Sequence, residues 1–86
     1  MNIEFIGITE KDEASLSFIR ELYEQAFPEQ ERRTWPSFLS LLKNESEMNV
    51  VLIRNEGMDA GMVVWWQIDG WLFIEHLAIN GAARGR

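Results

Sequence analysis

The stretch Trp71-Leu-Phe-Ile-Glu-His-Leu-Ala-Ile-Asn-Gly-Ala-Ala-Arg-Gly-Arg86 decides how the remaining chain is read. From Trp71 to Ile79 only Glu75 and His76 interrupt an apolar run, the pattern of a strand flanked by neighbours and covered on both faces. Asn80-Gly81 breaks the run, and small residues then lead to Arg84, Gly85 and Arg86. Buried strands that release into Gly/Arg loops bring backbone N–H groups to anionic ligands, usually with a helix following. Three residues in isolation read equally well as a basic tail, so the meaning of the loop depends on the strand before it.

Immediately upstream, Asp69-Gly70 is the strongest turn signal in the chain, a two-residue hairpin loop that requires positive φ. Residues 61–68, Gly-Met-Val-Val-Trp-Trp-Gln-Ile, are therefore a strand antiparallel to the first stretch. The loop length sets the register: Ile68 opposite Trp71, Trp66 opposite Phe73, Val64 opposite Glu75. Strict alternation puts Glu75 on one face with Val64, Trp66, Phe73 and Leu77, and His76 on the other with Ile74 and Ala78. A β-bulge would change those faces. Trp65 points away from Trp66, so at least one of the two needs cover.

Asn55-Glu-Gly57 reads as the preceding turn and residues 49–54 as another strand, rich in Val, Leu and Ile. Residues 3–8 read as the first strand. Between them lie two helices. Thr9 with Asp12 resembles a capping box with Asp in place of Glu, and Leu16, Ile19, Leu22, Tyr23 and Ala26 recur at helical spacing over residues 12–27. Pro28 ends that helix. Residues 28–33 are polar throughout. Thr34 caps the second helix, and Pro36 falls in its first turn, where no N–H partner is lost. Phe38, Leu39, Leu41 and Leu42 form its apolar face, and Asn44-Glu-Ser46 closes it. The order β-α-α-β-β-β predicts an α/β (α+β) domain of two helices and an antiparallel meander. Residues 1–86 read as a single partial domain, without repeats or linkers.

Composition narrows the function classes. With 47% hydrophobic residues and four tryptophans in 86, the chain is globular. A formal charge of -6 argues against non-specific binding to nucleic acid or to an anionic membrane. The absence of cysteine excludes disulfides and thiolate metal sites, and with a single histidine no metal centre is expected. No stretch has the form of a signal peptide or a membrane span, which reads as a cytoplasmic protein.

Among residues that could carry chemistry, Glu75 stands out. A carboxylate among Trp66, Phe73 and Leu77 is poorly solvated, which suits a general base; the competing reading is a glutamate at a sheet margin, open to water or paired with an arginine. His76, on the opposite face in a regular strand, reads as a core histidine or a catalytic one. Glu31, Arg32 and Arg33 could contact a substrate or simply form a solvated connection between helices.

The element order, together with Ala26-Phe-Pro-Glu-Gln-Glu-Arg-Arg33 and Ile74-Glu-His-Leu-Ala-Ile-Asn-Gly-Ala-Ala-Arg-Gly-Arg86, resembles the N-terminal half of the GNAT superfamily of acetyl-coenzyme A-dependent N-acyltransferases. Arg84 matches the first position of that family's pyrophosphate loop, Arg/Gln-x-x-Gly-x-Gly/Ala, with Gly85 and Arg86 in its two free positions. The resemblance implies transfer of an acetyl group from acetyl-CoA to a small-molecule or peptide amine without an acyl-enzyme. It implies Glu75 as base, and His76, Leu77, Ala78, Ile79, Arg84, Gly85 and Arg86 as the cofactor-binding set. The strand's backbone would polarise the thioester carbonyl. The family's pyrophosphate-binding helix, later strands and proton-donating tyrosine have no counterpart here, so this chain alone is expected to be catalytically silent. Tyr23, on the first helix, is not expected to replace that tyrosine. The alternative is a non-enzymatic module that self-associates or binds a partner through the fourth-strand edge. In either case a homodimer or higher assembly is expected, with the fourth strand or the Trp65/Trp66 surface buried between chains.

Overall fold

A computed structural model describes residues 2–81. The elements are β1 (Ile3–Ile8), α1 (Glu13–Ala26), a 3-10 turn (Glu29–Glu31), α2 (Trp35–Asn44), β2 (Met48–Asn55), β3 (Met58–Ile68) and β4 (Trp71–Ile79). The four strands form one antiparallel sheet in the order β1-β2-β3-β4. This is the α+β architecture that the sequence predicts.

Both helices lie on one face of the sheet. Leu16, Ile19, Leu22 and Tyr23 of α1 and Phe38 of α2 meet Ile8, Met48, Val50, Leu52, Met62 and Val64 in a single core. The strand residues alternate, as a half-covered sheet requires. Ala26, assigned to the same helix stripe, is exposed. Thr34 caps α2 by accepting from the Ser37 N–H, with Pro36 in the first turn.

Helix α1 begins later than the capping-box reading places it. Asp12 is the N-cap residue and its carboxylate turns back to accept from the Thr9 N–H at 2.8 Å. The Thr9 hydroxyl is occupied by the Lys11 N–H. The Thr/Asp pair thus builds the turn before the helix.

Strand β3 begins at Met58, earlier than the expected Gly61. Glu56 and Gly57 both take positive φ (53° and 79°), so the turn is a two-residue loop and pairing starts at once, Asn55 with Met58. A register shift between Ile53 and Arg54 absorbs the difference.

The β3–β4 hairpin corrects the expected faces. Asp69 and Gly70 form the loop, and Ile68 pairs with Trp71, Trp66 with Phe73 and Trp65 with Ile74, as the loop length predicts. There the register shifts and Val64 pairs with His76, not with Glu75. Glu75 is the extra residue of a β-bulge. Both Glu75 and His76 therefore face the helices, while Leu77 and Ile74 face away. The grouping of Leu77 with Glu75, and of Ile74 with His76, does not hold.

Strand β4 has one neighbour, β3, among the described residues, which leaves the fourth-strand edge bare as the sequence reading expects. It is the edge of the four-stranded sheet. Its far-face residues Leu72, Ile74 and Leu77 are 58%, 59% and 54% exposed.

Candidate active site at the β4 bulge

The bulge gathers a polar cluster at one end of the core. Glu75 Oε1 accepts from the Trp66 indole Nε1–H at 2.8 Å, and Oε2 accepts from Arg33 Nη2 at 2.8 Å. The Arg33 guanidinium also lies 5.9 Å from the Trp66 ring centroid, within cation–π range. The Glu75 side chain is 27% exposed. It is a half-shielded carboxylate held in place by two donors. The arginine-paired reading of Glu75 is what the geometry contains, and a carboxylate so held keeps lone pairs for a third donor.

Behind Glu75 stands Tyr23, 1% exposed, whose hydroxyl accepts from the Arg33 N–H at 2.7 Å. Burial pushes the Tyr23 phenol above its ordinary range. The Arg33 backbone hydrogen bond opposes that shift, and the negative charge of Glu75 adds to it. Tyr23 packs on Phe38, on Phe27 and edge-on against His76.

His76 is 8% exposed and lies within 4.5 Å of the Phe27 ring centroid. Its Nε2 is 3.1 Å from the Glu31 carbonyl oxygen, and its buried Nδ1 has no hydrogen-bond partner among the described residues. Arg32 donates from Nη1 to the Phe27 carbonyl at 2.6 Å and, at 3.4 Å, to that of Glu24. It thereby covers orphan carbonyls at the end of α1.

The three linker residues proposed as substrate contacts thus have separate tasks. Glu31 offers its carbonyl to His76, Arg32 closes α1, and Arg33 grips Glu75. Arg32 and Arg33 also line a cleft of about 240 Å³ with Arg20, Glu24 and Trp35. A second cleft, about 530 Å³, opens between the end of α1 and the end of β4, walled by Gln25, Phe27, Leu77, Ala78 and Ile79. Three of the expected cofactor residues therefore line one open cleft, with His76 adjoining through Phe27.

The backbone at this cavity has a defined polarity. The Asn80 N–H donates to the Ala60 carbonyl, and Ala78 lies opposite Met62 and His76 opposite Val64. Alternation then turns the N–H and C=O of Ala78 and His76 toward β3 and those of Leu77 toward the open edge. Arg84, Gly85 and Arg86 lie outside the described residues.

Sequence reading missed two members of the cluster. Trp66 entered only as an apolar neighbour of Glu75, although its indole N–H needs an acceptor when half-buried. Tyr23 entered as a core position of the first helix and as a residue not expected to replace the family's tyrosine. Its hydroxyl at the buried end of a helix was the available signal.

The architecture is that of the GNAT superfamily of acyltransferases, over the part of that fold which the chain spans. The chain is similar to a GNAT-family acetyltransferase structure from Bacteroides thetaiotaomicron, with a TM-score of 0.90 and 26% identity over 95% of this chain. It shares the fold of a ribosomal-protein-alanine N-acetyltransferase from Brucella melitensis biovar Abortus 2308, with a TM-score of 0.68 and 16% identity over the whole of this chain. The chain spans 47% and 63% of those two proteins. No family model and no curated protein sequence matches it.

Proposed function

We propose that this chain is the N-terminal, base-bearing portion of an N-acetyltransferase that uses acetyl-CoA as donor and an amine as acceptor. The observation that carries the reading is the bulge at Glu75. It holds a carboxylate in a fixed position on β4, two residues before the segment Leu77–Ile79 that lines the larger cleft, and among the described residues the backbone groups of Leu77 face the open edge of that strand. The cleft and open edge fit an acyl-pantetheine arm, whose amides can pair with a strand edge as a peptide would. Its holders are Leu77, Ala78 and Ile79. His76 and, outside the described residues, Arg84, Gly85 and Arg86 remain the proposed companions for the cofactor.

In this reading the acceptor nitrogen attacks the thioester carbonyl carbon, the C–S bond breaks and coenzyme A leaves as thiolate. Glu75 takes the proton that the nitrogen loses, directly or through water. Arg33 and Trp66 hold the carboxylate in place. Glu31, Arg32 and Arg33 border the acceptor side, and Arg33 is the nearest to the base. The donor supplies the activated acetyl group.

The test uses this chain and a chimera that extends it with the second half of the Bacteroides relative. Acetyl-CoA is expected to raise the melting temperature of the chimera and to leave the 86-residue chain unchanged. In the chimera, Glu75→Gln is expected to lower kcat by about 10²–10⁴-fold with little change in acetyl-CoA affinity. A folded chimera that does not bind acetyl-CoA would overturn the reading, and unchanged turnover with Glu75→Gln in an active chimera would remove Glu75 from the mechanism.

A second reading has its own support. An edge strand that exposes Leu72, Ile74 and Leu77 is a template for pairing with another strand, including β4 of a second copy.

A further inference from the structure

The connection between α1 and α2 contains only a three-residue 3-10 turn of regular structure, yet it carries the guanidinium that grips Glu75. A polar loop of this length is ordinarily among the more mobile parts of a domain. Here it is tied down by contacts to two elements, α1 and β4. Arg32 is bonded to the last carbonyls of α1, the Arg33 N–H to the Tyr23 hydroxyl, and the Glu31 carbonyl to His76.

The His76 contact has a chemical constraint that the others lack. A carbonyl oxygen only accepts, so Nε2 must be the donor and the neutral ring carries its proton there. The ring stands between Tyr23 and Phe27, with centroids at 5.0 Å and 4.5 Å, and is 8% exposed. It has no room to seek another acceptor. The bulge is what turns it toward the helices.

We propose that His76 is a positioning residue of the site: by holding the Glu31 carbonyl against β4 in its Nε2–H form, it seats the Arg33 guanidinium on Glu75. Tyr23 fixes the backbone at Arg33 and His76 fixes it at Glu31. Two anchors two residues apart leave the Arg33 side chain a single direction, over Trp66 and onto Glu75. The assignment concerns contacts within this chain and does not depend on the acetyl-transfer reading.

His76 is the only histidine in the sequence, so selective ¹⁵N-histidine labelling of the 86-residue chain gives one imidazole to read. The neutral ring is expected to show a protonated Nε2 and an unprotonated Nδ1. Two variants then separate the donor from the bulk. His76→Phe keeps a ring but has no donor; His76→Gln can still donate to the Glu31 carbonyl. The Trp66 indole N–H and Arg33 Nε–H signals are expected to move in His76→Phe and to stay close to native in His76→Gln. The Arg33 backbone amide is expected to exchange roughly tenfold faster in His76→Phe. An Nδ1–H tautomer, or a folded His76→Phe protein with native Trp66 and Arg33 signals, overturns the proposal. Should His76→Phe fail to fold, the tautomer and the glutamine variant decide it.

Discussion

Glu75 is held by two donors of different kinds, an indole N–H and a guanidinium, and each does something the other cannot. Trp66 fixes direction, because its N–H has a single line of approach and its ring is packed against the core. Arg33 supplies charge. With side chains 36% and 27% exposed, that ion pair contributes only about 0.5–1 kcal/mol to folding. Its weight is in geometry. The residue behind the pair, Tyr23, gives a prediction with a definite sign. Its phenol is raised above the ordinary 10.0 in the folded state, chiefly by burial. Stability from this group is therefore complete below the unfolded value and is lost as pH climbs through the folded one. Urea midpoints of the native chain should be level up to about pH 10 and fall above it, with a smaller fall in Tyr23→Phe. That variant should also cost about 1–2 kcal/mol below pH 10, because the Arg33 N–H loses its buried acceptor.

At the scale of elements, the β3–β4 hairpin governs the site. Its loop sets the register from Ile68 to Trp65, and one extra residue in β4 then rotates the remaining contacts. Gly61 shows how closely the two strands run beyond the bulge. A Cβ there would meet the Ala78 carbonyl oxygen at 2.7 Å and Ile79 Cδ1 at 2.8 Å. The side-chain atom can give way, but the backbone oxygen cannot without moving β4. Gly61→Ala is accordingly expected to destabilise by about 1–3 kcal/mol, read as a lower urea midpoint. It should also move the amide signals of residues 77–79, which line the larger cleft.

The register up to Trp65 was legible in the sequence because Asp69-Gly70 demands one loop geometry and the loop fixes the pairs. The bulge was not. A bulge inserts one residue where packing against another layer wants two side chains on the same face, and neither β3 nor β4 records that demand. Glu75 could be singled out as a lone carboxylate in an apolar run. Arg33, 42 positions away, could not be named as its partner from spacing.

On the scale of the whole molecule, two helices cover one face of the sheet and leave the other apolar and open among the described residues. Leu72, Ile74 and Leu77 on β4 continue across the sheet to Phe5 on β1, which is 70% exposed. Among the described residues no helix is long and apolar enough to cross a membrane. An exposed face and a bare edge on one side favour association even against a net charge of -6. Sedimentation of the 86-residue chain should show a concentration-dependent shift to heavier species, and Leu77→Lys, which places charge on the edge strand, should suppress it. A native chain that sediments as a monomer at high concentration would remove the self-association reading.

The sequence by itself determined the main elements, their order, the helix-facing stripe of α1 from Leu16 to Tyr23 and the antiparallel meander. Each of those follows from local periodicity and turn chemistry, which act over a few residues. Only the tertiary structure decided that Glu75 and His76 share a face and that Arg33 and Trp66 converge on one carboxylate. Those depend on how helix and sheet surfaces fit in three dimensions, a property of contacts between residues far apart in the chain that no single segment encodes.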